Sequence, residues 1–219
     1  MNTKPTKRRK DEILEVATQL FSMRGFHGTR MDDVAEAAGL NKATVYHYYQ
    51  SKAEILFDLC INALDDVLGK LRDGGHKLPV AEALKHYVVS VLSLIAETPE
   101  RSLVYFQESP FLEEWLSENQ VNQVRDLENE FELHLRRIME RGVEDHTFGP
   151  FDPRLAALAV SGMTNWFCRW YHPDGTQSPA EIADEFTRML SDGLFASSGA
   201  QQPRSRAGAA SSRKRAIAI

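Results

Sequence analysis

Residues 31–52 read Met31-Asp32-Asp33-Val34-Ala35-Glu36-Ala37-Ala38-Gly39-Leu40-Asn41-Lys42-Ala43-Thr44-Val45-Tyr46-His47-Tyr48-Tyr49-Gln50-Ser51-Lys52, two short helical patterns separated by one glycine. Two such helices across a tight turn make a helix-turn-helix. Val34, Ala35 and Ala38 fall on one apolar face, Asp32, Asp33 and Glu36 face water, and Gly39 stands where a left-handed residue ends the first helix. Asn41 then caps the second. That second helix is too short for a core element. Lys42, Thr44, Tyr46 and His47 project donors from it, the groups that reach phosphates and base edges.

The charge distribution fits such a surface. The chain of 219 residues carries a net charge of −5, but unevenly. Residues 1–55 hold nine Lys+Arg against seven Asp+Glu, with Lys4, Lys7, Arg8, Arg9 and Lys10 bunched at the start. Residues 56–202 hold twelve against twenty-four, and 203–219 hold five basic residues and no acid. Lysines and arginines supply DNA affinity locally, so a basic end on an acidic body suits one DNA-facing side.

Helical periodicity dominates the rest, and strand-like alternation is almost absent. Ser51-Lys52-Ala53-Glu54 reads as a capping box opening a helix to about Leu71, which Asp73-Gly74-Gly75 ends. A helix from Pro79 to Glu97 and a short one over 101–108 follow. Pro110 then opens a long amphipathic segment to Gly142, in which Glu128, Glu130 and Glu132 read as a solvent face. In Pro153–Tyr171 apolar residues lie on all sides, which predicts a helix covered on more than one face. Ser178-Pro179-Ala180-Glu181 opens a last helix with Ile182, Phe186, Met189, Leu190 and Leu194 at helical spacing. Two adjacent apolar final helices exceed what a monomer of this size readily buries. The segment from Ser197 lacks periodicity and predicts a disordered basic tail over 198–219.

The longest apolar stretches are too interrupted to span a bilayer, and the N-terminus has no apolar signal core, so a cytoplasmic protein without membrane contact is expected. Cys60 and Cys168 sit in helical patterns, as buried thiols in a reducing compartment. His27, His47, His76, His86, His134, His146 and His172 show no metal-ligand spacing. No phosphate loop, nucleophile elbow or paired-carboxylate motif appears, so no cofactor and no catalytic residue is expected.

Ile13, Ala17, Leu20 and Phe21, then Gly25-Phe26-His27-Gly28-Thr29, resemble the first helix and turn of the tetracycline-repressor (TetR) family. Val45-Tyr46-His47-Tyr48-Tyr49 and Ser51-Lys52-Ala53-Glu54-Ile55-Leu56 resemble that family's passage into its fourth helix. Arg30 departs from it, standing where the family usually has a Ser or Thr cap. Thr29, with Asp32 three residues on, is expected to cap instead. The resemblance implies an all-α chain of about nine helices: a three-helix helix-turn-helix domain over 8–55 and a helical ligand-binding and dimerisation domain over 56–197. It implies that Thr44, Tyr46, His47 and Lys52 grip phosphates of a double-stranded operator while Lys42, Ala43 and Arg30 lie near base edges. Val45 and Tyr49 read as core, and Tyr48 fits either role. The last two helices would pair with those of a second subunit.

Arg169, amid Trp166, Phe167, Cys168 and Trp170, reads as a buried guanidinium that needs an anion, either a ligand's or that of an internal ion pair. The run Arg169-Trp170-Tyr171-His172-Pro173-Asp174-Gly175, with Tyr105-Phe106-Gln107-Glu108, resembles a subset of the family that controls fatty-acid and sterol-ring catabolism and senses coenzyme A thioesters. Phe106, Trp115, Phe131, Trp166 and Phe167 are then expected to line an apolar pocket, although aromatics at helical spacing also serve as plain core. The expected function is a homodimeric repressor controlling lipid or sterol catabolism, released from DNA by an acyl- or steroid-type coenzyme A thioester. A multidrug-type repressor is the alternative, and a helical enzyme or ligand carrier a remote one.

Overall fold

The computed structural model describes residues 5–72 and 78–193. The Asp73-Gly74-Gly75 stop, His76, Leu194 and the tail over 198–219 lie outside the described residues. The helices are α1 (Pro5–Arg24), α2 (Met31–Ala37), α3 (Lys42–Tyr48), α4 (Lys52–Arg72), α5 (Val80–Glu97), α6 (Pro99–Glu108), α7 (Leu112–Trp115), α8 (Glu118–Glu144), α9 (Pro153–Asn165), α10 (Phe167–Trp170) and α11 (Pro179–Asp192). Among the described residues there is no strand, and nine of these helices exceed four residues, as the all-α reading expects. None is long and apolar enough to cross a membrane.

Local chemistry sets the turns around α2 and α3. Gly39 has φ of +64°, the left-handed value that costs glycine nothing, and its N–H and that of Leu40 donate back to the carbonyls of Glu36 and Ala35. Asn41 Oδ1 accepts from the Thr44 backbone N–H at 2.8 Å, so the predicted cap forms. Thr29 does not cap α2. Its side chain is fully buried and its hydroxyl donates to the Gly25 carbonyl at 3.0 Å, while Arg30 is the N-cap residue and its N–H donates to Asp33 Oδ2 at 2.7 Å.

Two apolar cores run along the molecule. The first joins Ile13, Ala17 and Phe21 of α1 with Val34, Val45, Ile55 and Leu59, and continues into Val104, Leu112, Leu116, Val121 and Val124. The helix-turn-helix thus shares its core with α6 to α8. The second gathers Val67 and Leu71 of α4 with α5, Leu135, Ile138, Val160, Phe167 and Ile182. α4 contributes to both, and each of its fully buried leucines and isoleucines is worth about 1.5–3 kcal/mol relative to exposure.

The segment expected to run as one helix from Pro110 to Gly142 is broken. Ser109–Phe111 form a 3-10 turn, α7 is a single turn, and Leu116 is extended before a capping box, Ser117 with Gln120, opens α8. The helix expected over 153–171 also breaks, at Trp166. The Thr164 hydroxyl donates back to Val160 at 3.1 Å, the kind of side-chain bond that bends helices. Nor is this segment covered all round within one chain: Leu155 is 64% exposed and Leu158 46%. In α11, Ile182 and Ala183 are buried against the chain's own second core, so its apolar face is partly spent internally and not wholly reserved for a partner.

Candidate functional site

α3 turns Val45 and Tyr49 fully inward and leaves Lys42, Ala43, Tyr46 and His47 exposed, with Tyr48 half-buried against the first core. Lys42 Nζ pairs with Asp32 across the helix-turn-helix. The pair is exposed, so it holds Lys42 only loosely and leaves it able to trade Asp32 for another anion. Thr44 is half-buried and its hydroxyl donates to Asn41 Oδ1 at 2.8 Å, so its donor is spent on the cap. Arg30 is exposed at the start of α2.

Lys52 occupies a more committed position than a helix-start cation in solvent. Its Nζ donates to the carbonyls of Phe26 at 2.7 Å, Thr29 at 3.1 Å and His27 at 3.3 Å, and lies 4.5 Å from the Phe26 ring centroid. All three ammonium hydrogens therefore serve the α1–α2 turn. Burial pulls the Lys52 pKa down, and the Glu108 carboxylate partly opposes it. On the opposite side of the domain, Lys10 Nζ reaches Asp58 at 2.6 Å and Tyr49 donates its hydroxyl to the same carboxylate at 3.0 Å, tying α1, the end of α3 and α4 together. Burial, then Asp58, pushes the Tyr49 hydroxyl far above its ordinary value. Between these elements His27, Arg30, Tyr46, Gln50 and Lys52 border an open concavity of 440 Å³ beside α3.

A second site lies inside the C-terminal helices. Leu64 and Val67 of α4, Val91, Leu94 and Ile95 of α5, Ser102, Tyr105 and Phe106 of α6, Phe131 of α8 and Asn165 of α9 line a partly open apolar cleft of 70 Å³. Tyr105 donates its hydroxyl to Glu128 at 2.7 Å, and burial, then that carboxylate, raises its pKa strongly. Glu128 is thus half-buried and engaged, not part of a solvent face, whereas Glu130 pairs with Arg72 at 2.6 Å in solvent.

Of the aromatic residues expected around a pocket, Phe106 and Phe131 line this cavity, and Phe131 stacks on Tyr87 with ring centroids 5.5 Å apart. Phe167 is fully buried in the second core and stacks on Tyr171 at 4.4 Å. Trp166 is 63% exposed. Arg169, read as buried, is exposed as well, with its guanidinium 5.7 Å from the Trp166 ring centroid. Phe167, between them, takes the inward position in the second core. Trp115 is remote from the cavity and packs against Phe26 and His27. Ser102 and Asn165, the cavity's small polar groups, were not expected there. Ser102 stands one helical turn before Tyr105 and Phe106, which is the signal that points to it.

Residues 13–59 match the family model described as bacterial regulatory proteins, tetR family, and residues 77–194 match the one described as tetracyclin repressor-like, C-terminal domain. The HTH-type transcriptional repressor KstR2 of Rhodococcus jostii is 28% identical over 188 residues, 85% of this chain and 91% of the relative. The TetR family transcriptional regulator PfmR of Thermus thermophilus superposes with a TM-score of 0.78 at 32% identity, over 84% of this chain and 99% of that one. The structure of AibR in complex with isovaleryl coenzyme A and operator DNA superposes with a TM-score of 0.71 at 25% identity, over 83% of this chain and 97% of that one.

Proposed function

This chain belongs to the TetR family of DNA-binding transcriptional regulators, and we propose that it works as a homodimeric repressor of lipid or sterol catabolism that an acyl- or steroid-type coenzyme A thioester releases from its operator. Tyr46 and His47 grip phosphates, Lys42, Ala43 and Arg30 lie against base edges, and Thr44 and Lys52 hold the elements that present them. The dimer is built on Leu155, Leu158, Trp170 and Leu190, large apolar side chains that a single chain leaves at 39–64% exposure. Its two recognition helices meet successive major grooves, roughly 34–36 Å apart.

The apolar cavity against α4 and α6 is the observation that carries the reading. At 70 Å³ it is far below the roughly 300–1,000 Å³ of ordinary ligand pockets. A hydrophobic acyl group enters only by displacing Tyr105, Phe106 or Phe131, so it binds an opened state better than this one. Differential affinity of that kind is what shifts a two-state equilibrium. α4 carries Leu64 and Val67 to the cavity and Ile55 and Leu59 to the core under the recognition helix, so the opening reaches the DNA side. Arg169, exposed beside Trp166, suits the anionic end of such an effector. The AibR complex, which holds a coenzyme A thioester and operator DNA, supports that ligand class.

Fluorescence anisotropy on the chain's own upstream region, titrated with acyl-CoA thioesters of increasing length and with steroid-CoA, tests the proposal. Saturable binding reversed by at least one thioester is the expected result. Reversal by hydrophobic drugs but by no thioester moves the protein to the multidrug-type reading.

A further inference from the structure

The α1–α2 turn is held from its far side by residues of the C-terminal helices. The Trp115 indole meets the His27 ring edge to face at 4.5 Å between centroids and the Phe26 ring at 5.4 Å. Glu108, the last residue of α6, is half-buried, and burial raises its carboxyl pKa while nearby His27 and Lys52 oppose that effect. Lys52 in turn binds the carbonyls of Phe26, His27 and Thr29. Aromatic packing and three backbone bonds therefore converge on one five-residue turn that leads directly into Arg30 and α2, with the Glu108 carboxyl close by.

From this arrangement we propose that Trp115 and Glu108 form a clasp that positions the α1–α2 turn, and through it the recognition helix, for operator binding. Trp115 at the end of α7 meets the turn directly, whereas Glu108 of α6 also acts through Lys52, the first residue of α4. Phe106, on the cavity wall, and Glu108 both belong to α6, so a shift of that helix as a unit moves both. This last step rests on the effector reading above, whereas the positioning role does not.

The joint also carries an unsatisfied group. The indole N–H of Trp115 is buried and meets no acceptor among the described residues.

The test compares W115A, W115F, E108Q, H27A and the W115A/H27A double variant as full chains, by operator anisotropy without effector, with dimer state and thermal midpoint measured alongside. W115A is expected to weaken operator affinity about tenfold, within the usual range of intersite coupling. Its salt slope stays that of the wild type, because Trp115 meets no phosphate. The double variant binds no worse than the weaker single variant, as a shared contact requires. W115F keeps the ring contact and binds DNA at least as tightly as the wild type. E108Q is the isosteric control against misfolding. By charge alone, removing an acid near a DNA-facing surface tightens binding, whereas a clasp predicts weaker binding. Affinities of W115A and E108Q within twofold of the wild type, additive losses in the double variant, or tighter binding by E108Q overturn the proposal. If no acyl-CoA releases the wild-type protein while these effector-free results hold, the effector reading fails and the clasp stands.

Discussion

The guanidinium of Arg169 lies 5.7 Å from the centroid of Trp166, and both side chains stand at the surface where the chain turns from α9 into α10. An exposed cation–π contact is worth about 0.5–1 kcal/mol, and no carboxylate is left stranded when the arginine goes. Arg169→Ala should therefore shift the thermal midpoint by no more than a few degrees while leaving operator affinity intact. Loss of thioester-induced release in that variant would identify the guanidinium as the effector's anion partner. A loss of several kcal/mol would return Arg169 to a structural role.

The dimer surface is better probed at Leu155 than at Phe186. Phe186 is half-buried against Trp170, so a charge there disturbs the protomer as well as any interface. Leu155 is 64% exposed within one chain, and glutamate at that position costs an isolated protomer little. Sedimentation velocity should find wild-type dimers at micromolar concentration and Leu155→Glu monomers with unchanged helical circular dichroism, because a dimer would bury the new carboxylate without a partner. A dimeric Leu155→Glu would place the interface elsewhere.

The parts of this molecule that sequence made legible are those decided within a turn or two of chain. Gly39 and Asn41 act on backbone groups three to five residues away, so the helix-turn-helix and its exposed α3 face were readable without tertiary structure. Burial is different. Arg169 and Trp166 were expected inside because their neighbours in sequence are apolar, but Phe167 alone of that run takes the fully buried position and leaves both at the surface. Trp115 and Glu128 failed for a related reason: their partners, His27 and Tyr105, are 88 and 23 residues away. The Ser117–Gln120 capping box was present in the sequence, but the helix-like spacing of Leu112, Trp115 and Leu116 before it masked the break.

Lys52→Met retains the stem over the Phe26 ring and removes three charge-assisted bonds to backbone carbonyls. Those carbonyls lie partly in reach of water, so the loss should be about 1–2 kcal/mol in urea unfolding, toward the low end for bonds to a charged donor. Operator affinity should fall with it, while the dependence of affinity on salt stays unchanged. A slope lower by about one unit per half-site, with stability retained, would show instead that the ammonium neutralises a phosphate.

Cys60 makes stability fall at alkaline pH. Burial, with the Glu128 and Glu108 carboxylates nearby, pushes its thiol up from an ordinary value of 9.0 to about 12. Between those values the unfolded chain has released a proton that the folded chain still holds, so unfolding gains as pH rises, with a slope approaching about 1.4 kcal/mol per pH unit. Buried tyrosines add the same sign above pH 10, which makes pH 8.5–10 the informative window. Cys60→Ala should lose some stability at every pH through its small cavity, yet show a flatter decline than the wild type across that window. The thiols themselves give a second readout. Cys168 is half-buried and its pKa is also raised by burial, against the pull of Arg169, so it should react slowly with an aromatic disulfide reagent at pH 8, and Cys60 only after unfolding. One thiol per native chain, absent in Cys168→Ala, is the expected count. Two rapid thiols, or parallel pH profiles for the wild type and Cys60→Ala, would show that Cys60 is not sealed in the core beneath α6.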